Sequence, residues 1–363
     1  MTTTARAAVL RQAGAPLVIE EVQIDDPRPT EVLVRLVSVG VCRTDTHALA
    51  EMPAPAILGH EGAGVVAAVG SAVTKVQPGD KVLMTFASCG TCRHCRTGQV
   101  AYCQVFNELN FTGRRPDGTS AVSAGGEPVA AHFLGQSCFA THALVSERSV
   151  VRVDPSTDLR PLGPFGCGFQ TGAGAVANAL RPAIGSSVAV CGSGAVGLAA
   201  IAAAAVAGCE PVVAVDTVAS RLDLARELGA THTVDATTAD LAAALGDLLP
   251  DGLDLAIDTT GLAAVVAQVV GALHNRGTCA VVGAGPSQEM VLDWRTVLNG
   301  RTVTGIIAGN SVPDVFLPEL VGLYRSGHFP ADRLIRYFPF DDINRAIDAS
   351  LDGSVVKPVL TFD

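Results

Sequence analysis

SSVAVCGSGAVGLAAIAAAAVAGCEPVVAVD, residues 186–216, is the stretch whose reading decides the fold. The small and β-branched run SSVAVCG (186–192) predicts a buried strand, and PVVAVD (211–216) predicts a second. Between them AVGLAAIAAAAVAG (195–208), rich in alanine, predicts a helix. Strand, helix and strand in this order predict a parallel pair covered by the helix.

The turn between the first strand and the helix carries G-x-G-x-x-G as Gly192, Gly194 and Gly197. Alone the motif is weak. In this setting the glycines permit a tight turn, close approach of backbone to a pyrophosphate, and close packing of the helix, whose N-terminus faces the anion. Asp216 then ends the second strand, where a carboxylate accepts hydrogen bonds from adenosine ribose hydroxyls and repels a 2′-phosphate. The pattern therefore implies NAD rather than NADP. Arg221 is either a guanidinium near that ribose, which would tolerate a phosphate, or a solvated helix residue.

Beyond residue 216 the alternation continues. ASRLDLARELG and AAVVAQVVGALHNRG read as helices, and THTVD, GLDLAIDTTG and TCAVVGAG as strands, a pattern that predicts a parallel sheet covered by helices on both faces. Upstream, residues 1 to about 150 differ: EVLVRLVSVGVC (31–42), GAGVVAAVG (62–70), the turn QPGD and KVLMTF (81–86) predict a β-rich, barrel-like domain. After about residue 307 the pattern loosens into two helical segments, DVFLPELVGLYRSG and DDINRAIDASLDG, and a closing strand KPVLTF that can complete the first domain. The 363 residues exceed what one ordinary core accommodates, so the α/β reading comes with two domains.

A net charge of -10 argues against a nucleic-acid surface, which needs clustered Lys and Arg. The N-terminus lacks the apolar core of a signal peptide, and the most apolar run, Leu198 to Gly208, is too short to span a bilayer. The expectation is a cytoplasmic protein with no membrane partner. In that compartment the 10 cysteines predict metal binding or burial rather than disulfides.

Four of them occur as CGTCRHCRTGQVAYC, residues 89–103, with the spacing C-x2-C-x2-C-x7-C. Thiolates at Cys89, Cys92, Cys95 and Cys103 can close a tetrahedral zinc site with no position left for water or substrate, which makes it structural. A redox C-x-x-C needs a strand before it and a helix after it, and nothing before Cys89 supplies that context. His94 is expected to face solvent. Cys138, Cys191, Cys209 and Cys279 stand in apolar surroundings and read as packing residues.

A second constellation is scattered. Cys42 in VGVCRTDTH, His60 in LGHEGAGVV and Cys167 in FGCGFQTGAG, if folding brings them together, leave a fourth position on zinc open, as catalytic sites require. Lone cysteines are more often core residues, so the neighbours matter. Asp45 is placed to orient a ligand imidazole, Glu61 adjoins His60, and Thr44 and His47 offer a hydroxyl and an imidazole for proton transfer.

Taken in order, GHEGAGVVAAVG, QPGDKV, the four-cysteine lobe, GCGFQTGAG, GSGAVG and KPVLTF make the whole chain resemble the zinc-dependent medium-chain alcohol dehydrogenases. The resemblance implies a GroES-like catalytic domain with a structural zinc lobe (1–168), a Rossmann NAD-binding domain (169–306) and a C-terminal segment completing the first (307–363). It implies two zinc ions per chain, one catalytic on Cys42, His60 and Cys167 and one structural. Glu61 matches a carboxylate just behind the catalytic zinc that can visit it during ligand exchange, Arg43 and Lys357 match positions approaching the cofactor pyrophosphate, and Thr171 one near the nicotinamide. Where Lys357 stands, the family more usually has Arg.

Within the family GCGFQTGAGAV is similar to the aryl-alcohol or benzyl-alcohol branch and its allylic relatives. The implied reaction is reversible oxidation of a primary alcohol to an aldehyde, with a proton path through Thr44, a cofactor ribose hydroxyl and His47. The insertion from about 114 to 132 resembles the long loop of dimeric members, so a homodimer is favoured over a tetramer. Thr85, Trp294 and Leu298 are suggestive pocket residues. The rivals are a dehydrogenase of formaldehyde–thiol adducts, which needs a cationic pocket, and a dinucleotide-binding sensor without catalysis, which predicts loss of the open zinc site.

Overall fold

The computed structural model describes residues 2–285 and 289–362. The chain divides into two compact units, one of Met1–Cys167, Val312–Val321 and Ala331–Asp363, the other of Gly168–Ser311 and Gly322–Pro330. Among the described residues no helix is long and apolar enough to cross a membrane.

The first unit is built on two sheets. One runs in the order Ala56–Ile57, Thr2–Leu10, Val18–Asp25, Val122–Ala124, Glu127–Val129. The other runs Val150–Arg152, Lys81–Met84, Gly62–Val69, Glu31–Gly40, Lys357–Thr361, Ile335–Pro339, and His142–Ser146 also pairs with Glu31–Gly40. Thus the C-terminal strand Lys357–Thr361 lies directly against Glu31–Gly40, with Val359 opposite Gly40. Apolar residues of these strands, among them Leu10, Ile24, Leu36, Ile57 and Leu360, meet in one core with Phe139 from the segment before His142–Ser146.

Residues 114–132, expected as a long loop, contain the hairpin Val122–Ala124 and Glu127–Val129. Its two-residue turn is Gly125 and Gly126, both at positive φ, as a type I′ turn requires. The base is held by Arg115, whose Nε donates to Glu31 Oε1 at 2.7 Å and whose Nη1 donates to Asp25 Oδ2 at 2.7 Å. Arg115 and Glu31 are both buried, so the ion pair is shielded from solvent.

The second unit is a six-stranded parallel sheet in the order His232–Asp235, Val212–Asp216, Val188–Cys191, Leu253–Asp258, Leu273–Val281, Thr302–Gly305. Read along the chain this is 3-2-1-4-5-6, the doubly wound order, and it reverses at Val188–Cys191. Ligands of such sheets bind beyond the carboxyl end of the strand where the order reverses. The helix expected over AAVVAQVVGALHNRG stops at Gly271, and LHNRG instead enters the strand Leu273–Val281, because Leu273 pairs with Leu253. A further helix, Leu241–Leu248, starts at Asp240, whose carboxylate accepts from Ala243 N at 2.9 Å.

Candidate active site

Strand Glu31–Gly40 delivers Cys42 to the start of helix Arg43–Glu51. The carboxylate of Asp45, in that helix's first turn, is wholly buried and accepts three hydrogen bonds: from Cys42 N at 2.9 Å and Gly59 N at 3.1 Å, and from His60 Nδ1 at 2.8 Å. The last bond fixes the tautomer. With the proton on Nδ1, the His60 Nε2 lone pair points inward, and that nitrogen is buried with no hydrogen bond among the described residues.

The ligand atoms of Cys42, His60, Glu61 and Cys167 all lie within 4.8 Å of one another. An orphaned imidazole nitrogen facing two thiols fits zinc, which takes such nitrogen and sulfur donors at about 2.0–2.3 Å. Electrostatics agree. The hydrogen bond from Cys167 holds the Cys42 thiol well below its ordinary range, with Lys357 and His60 adding to the effect against burial. Burial works against a charged His60, but Asp45 and Cys42 outweigh it and draw positive charge to the ring. A cation held by these residues would supply that positive charge in place of a proton.

Three further residues shape this site, and of these Gln136 and Phe133 have no signal in the sequence. Gln136 lies beneath His60, its Nε2 donating to His60 O at 2.7 Å and its Oε1 accepting from Gly62 N at 3.3 Å. It is brought there by a loop with positive φ at Leu134, Gly135 and Ser137. Phe133 sets its ring edge-on to the imidazole, with centroids 5.6 Å apart. Gly59 has φ +89, and a Cβ there would meet Phe139 at 2.6 Å, so no larger residue fits before His60.

Lys357 departs from its expected task. Instead of reaching a cofactor phosphate, its ammonium is 2% exposed and donates to Glu61 Oε1 at 3.0 Å, Glu61 Oε2 at 2.9 Å and Val41 O at 3.1 Å. These three bonds use its three hydrogens. The reason is its strand register, which starts Lys357–Thr361 inside the sheet rather than at the surface. Burial pushes the Glu61 carboxyl up to about 7, and Lys357 pulls the other way.

Arg43 and His47 are exposed on helix Arg43–Glu51, with Arg43 Nε 3.4 Å from His47 Nε2. The Thr44 hydroxyl lies 3.8 Å from Cys42 Sγ. Thr85 is buried, and its hydroxyl donates to Gly166 O at 3.0 Å. Trp294 and Leu298, read as pocket residues, are 78% and 69% exposed, because no residue of the short helix Trp294–Leu298 is buried.

The four cysteines of the lobe also converge, with ligand atoms within 4.8 Å of one another. The Thr91 hydroxyl at 3.6 Å, with the amides of Thr91 and Cys92 at 3.4 and 3.3 Å, points at Cys89 Sγ and holds that thiol down at about 5. Cys103 Sγ accepts from Cys89 N at 3.3 Å and Cys92 Sγ from Gln104 N at 3.5 Å. A loop whose amides already point at sulfur is prepared to hold thiolates on a metal.

In the second unit the glycine turn follows strand Val188–Cys191, with Gly192 at φ +91 and Gly194 capping helix Ala195–Val206. A Cβ on Gly197 would sit 1.7 Å from Gly192 O, so the turn closes only over glycine. Asp216 braces it: Oδ2 accepts from Ser193 N at 2.6 Å, and Oδ1 accepts from Thr217 N and Val218 N at 2.8 and 2.9 Å. The cradle thus presents backbone amides and a helix N-terminus, the donor set a dinucleotide pyrophosphate needs. Arg221 lies in the first turn of the next helix, Ala219–Glu227. Thr171 is half-buried on helix Gly168–Gly174, which continues as a π-helical segment, Ala175–Leu180.

The chain matches the alcohol dehydrogenase GroES-like domain family over residues 28–155 and the zinc-binding dehydrogenase family over residues 195–322. It is 42% identical to the geraniol dehydrogenase of Castellaniella defragrans, over 99% of this chain and 98% of that protein. Among solved structures it resembles an alcohol dehydrogenase zinc-binding domain protein from Burkholderia ambifaria, with TM-score 0.98, 46% identity and 100% of both chains covered. It also resembles the benzyl alcohol dehydrogenase of Acinetobacter calcoaceticus, with TM-score 0.96, 40% identity, and 99% of this chain and 100% of that one covered. With likeness running the length of the chain and a glycine turn and two metal-ligand clusters in its fold, the chain belongs to the zinc-dependent medium-chain alcohol dehydrogenases.

Proposed function

We propose that this enzyme oxidises primary allylic and aryl alcohols to aldehydes, reversibly, with NAD as hydride acceptor. The observation that carries the reading is the buried Nε2 of His60, without a nitrogen or oxygen partner among the described residues and clustered with the thiols of Cys42 and Cys167. The geraniol and benzyl alcohol dehydrogenases among its relatives support the substrate class.

In this account Cys42, His60 and Cys167 hold a catalytic zinc, and Cys89, Cys92, Cys95 and Cys103 a structural one. When bound, zinc supplies Lewis acidity that raises the acidity of a hydroxyl, and NAD supplies the hydride acceptor. Asp45 accepts from His60 Nδ1 and so keeps the ring turned with Nε2 toward the two thiols. The Thr44 hydroxyl takes up the substrate proton as it passes its own on, and His47, three residues on along the same helix face and exposed, gives up a proton to solvent at the far end of the relay. Gly192, Gly194 and Gly197 hold the pyrophosphate and Asp216 the ribose, with Arg43, Thr171 and Arg221 as further cofactor contacts.

The domain division follows the same reading: a catalytic domain at 1–168 completed by 307–363, and an NAD-binding domain at 169–306. A homodimer is the assembly we favour. Its support is an exposed apolar patch of Val291, Trp294, Val297 and Leu298, just before the sheet's edge strand Thr302–Gly305. Ten free cysteines suit the reducing cytoplasm.

The test is NADH formation by zinc-loaded protein with benzyl alcohol, geraniol and ethanol, repeated with NADP. The reading expects kcat/KM for the two bulky alcohols well above that for ethanol, and NAD preferred to NADP. Turnover of ethanol alone would refute the substrate class. A preference for NADP would refute the role given to Asp216.

A further inference from the structure

We propose that Gln136 is a positioning residue for alcohol oxidation: its side-chain amide bridges the main chain from His60 to Gly62 and so fixes where the His60 imidazole meets the thiols, a reading that rests on the site proposed at Cys42, His60 and Cys167. The ligand segment needs such a brace. His60 and Glu61 stand between Gly59 and Gly62, and glycine contributes the least backbone stiffness of any residue. Asp45 fixes the turn of the imidazole through Nδ1, but a correctly turned ring on a main chain free to shift would still misplace Nε2. Groups of a catalytic constellation must be held to within about 0.5 Å.

The loop 133–139 supplies the brace. It takes up the carbonyls leading to His60 in order: Ser137 Oγ donates to Ile57 O at 2.6 Å, Phe139 N to Leu58 O at 2.9 Å and Cys138 N to Gly59 O at 2.9 Å. At His60 one long side chain takes over. Gln136 Nε2 donates to His60 O at 2.7 Å, while its Oε1 accepts from Gly62 N at 3.3 Å and from the Cys138 thiol at 3.7 Å. Gln136 is 1% exposed and Cys138 is buried, so water does not compete for these bonds. Left-handed backbone at Leu134, Gly135 and Ser137, with φ 48, 69 and 52, brings Gln136 to this position. Leu134 and Ser137 are not glycine, and such strain persists only where the surroundings over-determine it, as at sites built to be rigid. Ser137 shows how it is held here, since its Oγ also accepts from Phe133 N at 2.8 Å.

The experiment compares wild type with Gln136→Met, which keeps the side-chain length and loses both bonds, and with Ser137→Ala, which loosens the same loop at Ile57 but leaves the bridge. Each is loaded with cobalt(II), whose absorption bands report the geometry of the site and whose competition with a chelator reports its affinity; turnover of benzyl alcohol separates kcat from KM. A matching Cys42→Ser protein isolates the signal of this site from that of the four-cysteine lobe. The expected result for Gln136→Met is shifted cobalt bands, affinity lowered by about tenfold or more, and a reduced kcat with KM for NAD close to wild type. Ser137→Ala should keep the bands and the affinity of wild type even where its melting temperature falls. A Gln136→Met protein with wild-type bands and affinity would overturn the proposal. So would a Ser137→Ala protein that loses as much affinity, because the loop as a whole would then place His60. Should Gln136→Met fail to fold, Gln136→Asn, which keeps the amide but is one methylene too short to bridge both groups, is judged by the same readings. If Cys42→Ser removes no cobalt from otherwise wild-type protein, the reading of the site itself fails and the proposal with it.

Discussion

Asp45→Asn tests how much of the metal site rests on a residue that touches no metal. The wild-type carboxylate accepts from three donors: Cys42 N, Gly59 N and His60 Nδ1, at 2.9, 3.1 and 2.8 Å. An amide keeps one acceptor oxygen and points an N–H group at one or more of those donors, so at least one buried bond is lost. A buried donor left unpaired costs about 1–3 kcal/mol. Loss of the bond at Nδ1 also frees the imidazole to turn and to take the other tautomer, and changes of this kind lower metal affinity by about 10- to 100-fold. That range corresponds to about 1.4–2.8 kcal/mol. The assay is zinc competition with a chromophoric chelator, run beside urea unfolding of both metal-free proteins. A variant whose zinc affinity stays within about twofold of wild type would refute the claim that Asp45 sets the orientation of His60.

Cys92→Ser should remove one zinc per chain and lower the melting temperature by about 5 °C or more, while kcat per remaining zinc stays close to wild type; an unchanged melting temperature would count against a structural role for the lobe. His132 is buried, and burial lowers its pKa to about 4, against the pull of Glu31. Between that value and the ordinary 6.5 the unfolded chain binds a proton the folded one refuses, so stability rises with pH across this window and is lost on acidification. Wild type should therefore lose about 2–3 kcal/mol more than His132→Phe between pH 7 and pH 4.5, measured by urea unfolding at matched zinc load. Equal losses would show that His132 is not held neutral.

What the sequence disclosed follows from how local each feature is. The glycine turn, its strand and its helix lie within one βαβ unit, so period and turn chemistry reveal them together. Asp45 was visible for the same reason, three residues past Cys42 on the helix that Cys42 opens. Lys357 was misread because its partner is 296 positions away, and only the pairing of the closing strand with Glu31–Gly40 turns its ammonium onto Glu61. Gln136 left no trace either: it acts from a loop in which two of the three left-handed residues, Leu134 and Ser137, are not glycine. The hairpin inside 114–132 could have been read from Gly125 and Gly126 between short β-forming runs, and the helix Leu241–Leu248 from Asp240 before its leucines. Trp294 and Leu298 show the opposite failure, in which large apolar residues suggest a pocket wall and the fold leaves them outside.

The most direct measurement sets metal content and NADH formation side by side in wild type and Cys42→Ser. The account predicts that the variant loses one zinc per chain, keeps the metal of the four-cysteine lobe and its fold, and forms no NADH from benzyl alcohol. A Cys42→Ser protein that retains all its zinc and still turns over the alcohol would contradict it.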